Sequence, residues 1–205
     1  MSILEQLSSQ VGDRTEAANR RVVADCVEHP ELLQHIVQGL DSTDKGLVGD
    51  AAEVLTQVAE SHPAYVSPYA PALVALLNHK ATRVRWEAMH ALALVAHLTP
   101  DVVVELLPKL REMQSVETST IVRDYAVELL GNYAIRGETA STDVYPLLVE
   151  ALEGKQRSRA LQGLLVVATH APSFQAELHQ LAARYLDDLK AGVKKAAIAL
   201  HKATL

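Results

Sequence analysis

The side chains most able to bind a metal in this sequence are its nine histidines and its one cysteine, Cys26. His90 and His97 are seven residues apart, which is about 10 Å along a helix and too far for one ion. His29 and His35 are predicted to lie on different elements. Because no cysteine or carboxylate cluster completes a ligand set, we expect no metal site and a structural or solvent-facing role for the histidines.

The sequence also lacks the short motifs that carry common enzyme chemistry. It contains no Walker phosphate loop, no Gly-x-Gly-x-x-Gly, no Gly-x-Ser-x-Gly and no His-Glu-x-x-His. These motifs would supply a phosphate cradle, an activated nucleophile or a zinc site. We therefore expect a non-enzymatic protein without a cofactor.

An internal repeat organises the chain. The segment Val84 to Leu92 recurs as Val122 to Leu130, with Val-Arg, Ala and Leu at the same offsets. Weaker copies place equivalent alanines at Ala18, Ala51, Ala88, Ala126, Ala160 and Ala196. A period of this length is typical of stacked structural repeats. The six predicted units are residues 1–28, 29–61, 62–98, 99–137, 138–170 and 171–205.

Each unit has the pattern of two helices. Apolar residues lie four before and four after the central alanine, as in Val84, Ala88 and Leu92, and a second apolar run precedes each of these helices. Ser2 with Glu5 and Asp13 with Glu16 have capping-box spacing. Pro30, Pro63, Pro100 and Pro172 suit first helical turns. Because one hairpin cannot bury both apolar faces, we expect the pairs to stack into one continuous domain, residues 1–205.

One unit carries a recognisable order of residues: Pro71, an aliphatic run to Asn78, then Val84, Arg85, Ala88 and Leu92. This order resembles that of HEAT repeats. Pro108 and Pro146 match the proline of the first helix, and Arg123 and Arg157 match Arg85. The resemblance implies a right-handed α-solenoid of about six stacked antiparallel helix pairs, with Arg85 reaching back to Asn78.

Composition agrees with a helical protein, since aromatic residues make up only 4% of the chain and glycine and proline are few. The net charge of −6 gives no overall attraction to phosphate. A single cysteine, no basic leader and no 18-residue apolar run predict a soluble, cytoplasmic protein without a membrane span.

A candidate binding face follows from the helical wheel of the second helices. Positions two before and two after the central alanine point away from the core, and in HEAT-like solenoids they line the concave surface. We expect partner binding there by Trp86, His90, Glu53, Asp124 and Glu128. An exposed tryptophan is a common hot spot. Lateral packing of Trp86, and a surface ladder of Glu53, His90 and Glu128, are the alternatives.

Basic residues concentrate near the C-terminus. Residues 151–205 hold 4 acidic and 8 basic side chains, against 21 acidic and 11 basic before them. The second helices of the last two units begin with a possible anion-binding set, formed by Lys155, Arg157, Arg159, Lys194 and Lys195. Solvated helix ends are the alternative.

The leading hypothesis is a scaffold or adaptor that binds a peptide or helix of another protein on its concave surface. The alternative is nucleic-acid binding, as in HEAT-like DNA alkylation-repair glycosylases, for which Asp124 with Trp86 is the suggestive pair and the acidic majority a poor fit. A bilin lyase subunit is a remote third interpretation. Terminal repeats could also pair two copies of the chain.

Overall fold

The computed structural model describes residues 2–205, and its regular elements in that range are all helical. The α-helices are α1 (Ser8–Val11), α2 (Ala17–Glu28), α3 (Leu33–Gln38), α4 (Lys45–Ser61), α5 (Pro63–Val66), α6 (Ala70–Ala75), α7 (Thr82–Val95), α8 (Pro100–Val116), α9 (Thr120–Ala134), α10 (Glu138–Ala151), α11 (Arg157–His170), α12 (Gln175–Ala183) and α13 (Ala191–Ala203). Short 3-10 helices flank or extend several of them, for example Gly39–Asp41 after α3. The all-helical prediction is confirmed.

The prolines that were predicted at first turns are found there. Pro63 begins α5 and Pro100 begins α8, while Pro30 and Pro172 begin 3-10 helices. A first helical residue needs no N–H partner inside the helix, so proline has no cost at this position. Asp44 starts α4 in a different way, since its side chain accepts a hydrogen bond from the N–H of Gly46 at 2.8 Å.

The two predicted capping boxes have different outcomes. Ser2 and Glu5 form the expected reciprocal pair, with N–H to carboxylate at 2.8 Å and N–H to hydroxyl at 3.3 Å. The box of Asp13 with Glu16 is wrong, because Glu16 adopts a left-handed conformation with φ of 58°. Asp13 instead accepts from the Thr15 hydroxyl and the Ala18 N–H, and these bonds hold the pKa of its carboxyl well below the usual range.

The described chain divides into two compact units, the first ending at Thr99 and the second beginning at Pro100. This boundary lies within one residue of the predicted junction between the third and fourth repeats. In the first unit α4 packs between α2 and α7, with α3 and α6 against them. In the second unit α11 packs between α9 and α13, and α8, α10 and α12 cover these helices.

The core of each unit is built on the repeat alanines. Ala51 and Ala88 are fully buried in the first unit, as is Ala160 in the second, and Ala126 and Ala196 are at most 7% exposed. Ala18, in the N-terminal repeat, is only partly buried. Small residues at the centres of the second helices let neighbouring helices pack closely. The pairwise packing within each unit is that of an α-solenoid, as predicted.

Candidate partner-binding surface

In the first unit, Trp86 and His90 lie one turn apart on α7, and both are partly exposed. The indole N–H of Trp86 donates to the Glu87 carboxylate, with Nε1 and Oε1 2.6 Å apart. The ring is therefore held by its own helix through its polar edge. What remains for a partner is part of the aromatic surface, which suits apolar or stacking contact.

The expected exposure of Glu53 is wrong. This side chain is only 5% exposed, although the helical wheel placed it on the open face of α4. Its carboxylate accepts from Arg83 Nη2 at 2.6 Å, Asn19 Nδ2 at 3.0 Å and Gln57 Nε2 at 2.7 Å. Glu53 is thus an internal link between helices, because these donors come from α2, α4 and α7.

Arg83 is the centre of this internal network, which we call the Arg83 cluster and define as Asn19, Asp50, Glu53 and Arg83. Arg83 Nη2 also contacts Asp50 Oδ1 at 2.9 Å, and Asp50 is 2% exposed. Gly49 leaves room for the guanidinium, since a Cβ there would lie 3.3 Å from Arg83 Nη1. Burial raises the pKa of Glu53, and the charge and hydrogen bond of Arg83 oppose this effect.

In the second unit, the corresponding face is formed by α9 and α11. The two helix backbones approach closely where Gly131 meets Gly163, since a Cβ on Gly131 would lie 2.9 Å from the Cα of Gly163. A Cβ on Gly163 would lie 2.7 Å from Leu148 Cδ2. The crossing itself therefore requires glycine at position 131, whereas the closest atom to a Cβ on Gly163 belongs to the Leu148 side chain of α10. The close backbone contact holds the side-chain rows of α9 and α11 at a short distance.

Two adjoining grooves lie on this α9/α11 face. The larger, about 270 Å³, is lined by Asp124, Lys155, Gln156, Ser158, Arg159 and Gln162. The smaller, about 130 Å³, is lined by Glu128, Gly131, Asn132, Arg159, Gln162, Gly163 and Val166. Arg159 and Gln162 line both grooves. The structure thus brings the predicted residues Asp124 and Glu128 to one polar face of the second unit, beside two of the predicted cations.

Three of the five residues in the predicted anion-binding set form ion pairs within the second unit, and the other two do not. Arg159 Nη1 lies 3.1 Å from Glu128 Oε2, Arg157 Nη1 lies 3.0 Å from Asp188 Oδ2, and Lys194 Nζ lies 3.5 Å from Asp187 Oδ1. Lys155 and Lys195 are exposed. Three of the five positive charges are therefore balanced by carboxylates within the second unit, which weakens their attraction for an external anion.

Sequence reasoning left Gln162 out of the predicted site. This exposed residue occupies the same position after its repeat alanine as Glu53, His90 and Glu128 occupy after theirs. That equivalence is the signal that identifies it. A carboxamide can donate and accept at once, so Gln162 is suited to hydrogen bonding with a peptide main chain.

The residues described, 2–205, contain no cluster of three or more histidine, cysteine, aspartate or glutamate side chains arranged to hold a metal ion. Over the same range, no helix combines the length and apolar character needed to cross a bilayer.

Comparison with known proteins adds information on the fold. No model of a protein family matches the sequence, and no curated protein matches it significantly. Solved structures of designed proteins are similar. A designed armadillo repeat protein in complex with the peptide (KR)4 superposes with a TM-score of 0.71 at 18% identity, covering 99% of this chain and 98% of its own.

Two further structures give the same result. Computationally designed armadillo repeat proteins for modular peptide recognition have a TM-score of 0.68 at 17% identity and 98% coverage of both chains. An engineered protein has a TM-score of 0.67 at 19% identity, covering 100% of this chain and 97% of its own. At these identities the likeness establishes a helical repeat solenoid. It does not select HEAT repeats over armadillo repeats.

Proposed function

We propose that this protein is a non-enzymatic scaffold that binds a peptide or helix of another protein along the inner face of its second helices. The observation that carries the proposal is the pair of adjoining grooves between α9 and α11, where Arg159 and Gln162 connect two polar depressions along one face. Such a continuous, preformed surface lowers the ordering cost of binding.

The residues of the α9/α11 face have distinct roles in this proposal. Asp124 and Gln162 contact the ligand, Asp124 as an acceptor and Gln162 as both donor and acceptor. The Glu128 and Arg159 pair presents a fixed donor and acceptor at the junction of the grooves. In the first unit, Trp86 and His90 provide the corresponding surface, and Glu53 positions Arg83 and Asn19 instead of touching the partner.

The similar solved structures support a peptide ligand, because one of them is in complex with a peptide and another was designed for peptide recognition. Nucleic-acid binding has less support. Arg157, Arg159 and Lys194 are paired with carboxylates, and Asp124 places a further negative charge on the α9/α11 face.

The test is selection of a displayed random-peptide library on the purified protein, followed by calorimetric titration of the enriched peptides. We expect Asp124→Ala and Gln162→Ala each to weaken binding by about tenfold, the effect of losing a contact worth roughly 1.4 kcal/mol. Glu112→Ala, an exposed carboxylate on α8, is the matched control and should bind as the wild type does.

The outcomes separate the function from the site. Failure of the library to enrich any peptide above an unrelated helical protein would overturn the proposed function. Enriched peptides that bind the Asp124, Gln162 and control variants equally would place the site elsewhere. The Trp86→Ala variant tests the aromatic contact in the same titration: unchanged binding by a folded variant removes Trp86 from the site.

A further inference from the structure

Three arginines occupy the same position in successive repeats, and two of them have clear partners. Arg85 Nη1 donates to the backbone carbonyls of His79 at 2.9 Å and Lys80 at 3.2 Å. Arg157 forms an ion pair with Asp188 at 3.0 Å. Arg123 differs, because within residues 2–205 its Nε is buried without any hydrogen-bond acceptor and no carboxylate pairs with its guanidinium.

Arg123 borders a cavity of about 360 Å³ inside the second unit. The walls come from the end of α8, from α9 and α10, and from the turn that precedes α11. Gln156, in that turn, lines the same cavity and is only 7% exposed, and its Nε2 also has no acceptor among the residues described. Two buried N–H groups without partners therefore belong to residues that line one cavity. Buried donors are almost always paired in proteins. Two unpaired donors beside one cavity therefore suggest that an acceptor binds in it.

The charges around the cavity define the chemistry of that acceptor. Arg111 is matched by Glu150 through two hydrogen bonds of 3.0 and 2.8 Å, so this pair contributes no net charge. Glu153 also lines the cavity; it is exposed and forms no ion pair with Arg123. The guanidinium of Arg123 thus has no direct counter-ion within the described chain, although the lining as a whole carries two arginines and two carboxylates. A group that only accepts hydrogen bonds and carries negative charge satisfies both Arg123 and Gln156.

We propose that this cavity binds a small oxyanion, a carboxylate or a phosphate, between Arg123 and Gln156. Its volume falls in the range of small-ligand sites and leaves room for more than a single oxygen atom. The cavity adjoins the larger groove of the α9/α11 face, because Gln156 lines both, but the proposal does not depend on the proposed function.

The experiment measures thermal unfolding by circular dichroism at constant pH and ionic strength, with chloride replaced stepwise by acetate or by inorganic phosphate. A ligand that binds only the folded state raises the unfolding midpoint. We expect this rise in the wild type and equally in Arg184→Met, which removes an exposed arginine of the same unit. We expect its loss in Arg123→Met. A rise with acetate alone identifies a carboxylate site, and one with phosphate alone a phosphate site.

A second variant keeps the proposal falsifiable if Arg123→Met does not fold. Gln156→Glu places a carboxylate beside Arg123, so we expect a higher midpoint in chloride and no further rise with either anion. Equal responses to the anions in the wild type, Gln156→Glu and Arg184→Met would overturn the proposal. So would the absence of any anion-dependent rise in the wild type.

Discussion

Arg83 shows how one side chain can link three helices through its hydrogen bonds. Its guanidinium binds Asp50 and Glu53 on α4, and Glu53 in turn accepts from Asn19 on α2. The two carboxylates are 2% and 5% exposed, so each has lost most of its hydration. A buried carboxylate is tolerated only when donors replace that hydration, and Arg83 supplies the only positive charge in the cluster.

We expect Arg83→Met to lower the free energy of unfolding by about 3 kcal/mol, because two buried carboxylates then lose their positively charged partner. Urea unfolding at pH 7 measures this loss. The double variant Arg83→Met with Glu53→Gln should regain part of it, since one of the uncompensated charges is then removed.

Arg111→Met is the matched control for this prediction. Its partner Glu150 is 47% exposed and Arg111 itself 56% exposed, so water screens the pair and its loss should cost less than about 1 kcal/mol. Equal losses for Arg83→Met and Arg111→Met would contradict the role assigned to the Arg83 cluster.

For single residues, the sequence predicts the helix face on which a side chain lies better than the neighbouring side chains that cover it. The helical wheel correctly separates Ala88 from Trp86 on α7, but it treats each helix as isolated. Glu53 is at a wheel position that faces outward, yet Arg83 and Asn19 from neighbouring helices cover it. The wheel contains no information about these neighbours. For the same reason, the unpaired Nε of Arg123 does not follow from the match of Arg123 to Arg85.

Among the elements, α9 and α11 are the pair whose contact is most sensitive to substitution. We expect Gly131→Ala to lower the free energy of unfolding by about 1–3 kcal/mol, because the added Cβ would lie 2.9 Å from the Gly163 backbone and the helices would have to move apart. Chemical denaturation followed by circular dichroism measures the change.

Gly192→Ala is the control that isolates this steric effect. Gly192 lies in the first turn of α13, and a Cβ there would make only ordinary contacts, the nearest at 3.5 Å to Ser158 Oγ. Alanine has the higher helix propensity, so we expect this variant to be more stable by up to about 1 kcal/mol. A stabilised Gly131→Ala would show that the α9 and α11 backbones are not in close contact.

The elements themselves were largely predictable. Prolines marked where α5 and α8 begin, and the alanine spacing located α4, α7, α9, α11 and α13. The first helices were less regular than the pattern suggested. In the last unit the apolar pattern of the first helix extends in the sequence from Leu178 to Leu189. The helix α12 nevertheless ends at Ala183, because the buried apolar residues stop at Ala182 and the chain turns toward Asp187 and Asp188.

For the whole molecule, the reactivity of the single cysteine, Cys26, can show whether the chain unfolds in one cooperative step. Cys26 is fully buried on α2, and burial raises the pKa of its thiol to about 12, so almost no thiolate forms in the native state near pH 8. We expect no reaction with a thiol-specific disulfide reagent at pH 8 without denaturant. If the chain is one domain, as the sequence predicts, reactivity should rise with urea in parallel with the loss of helical circular dichroism.

The contrary result is equally informative. Labelling of Cys26 at urea concentrations that leave the helical signal intact would show that the first unit opens by itself, and the prediction of one domain would be wrong. In a stack of repeats, stability comes mainly from contacts between neighbouring helix pairs. Unfolding of some repeats before others is therefore the alternative to a single unfolding transition. The fold class follows from the repeat pattern, but this balance depends on packing energies that no pattern of residues contains.

The close crossing of α9 and α11 has a practical consequence for engineering. Because Gly131 lets the backbones of α9 and α11 touch, the crossing sets a short distance between side chains of the two helices across the grooves. On the proposed function, substitutions at Asp124, Lys155 and Gln162 would change which peptide is preferred while leaving the glycine contact between the two helices in place. The proposed function thus makes the α9/α11 face a surface on which new peptide specificities could be selected.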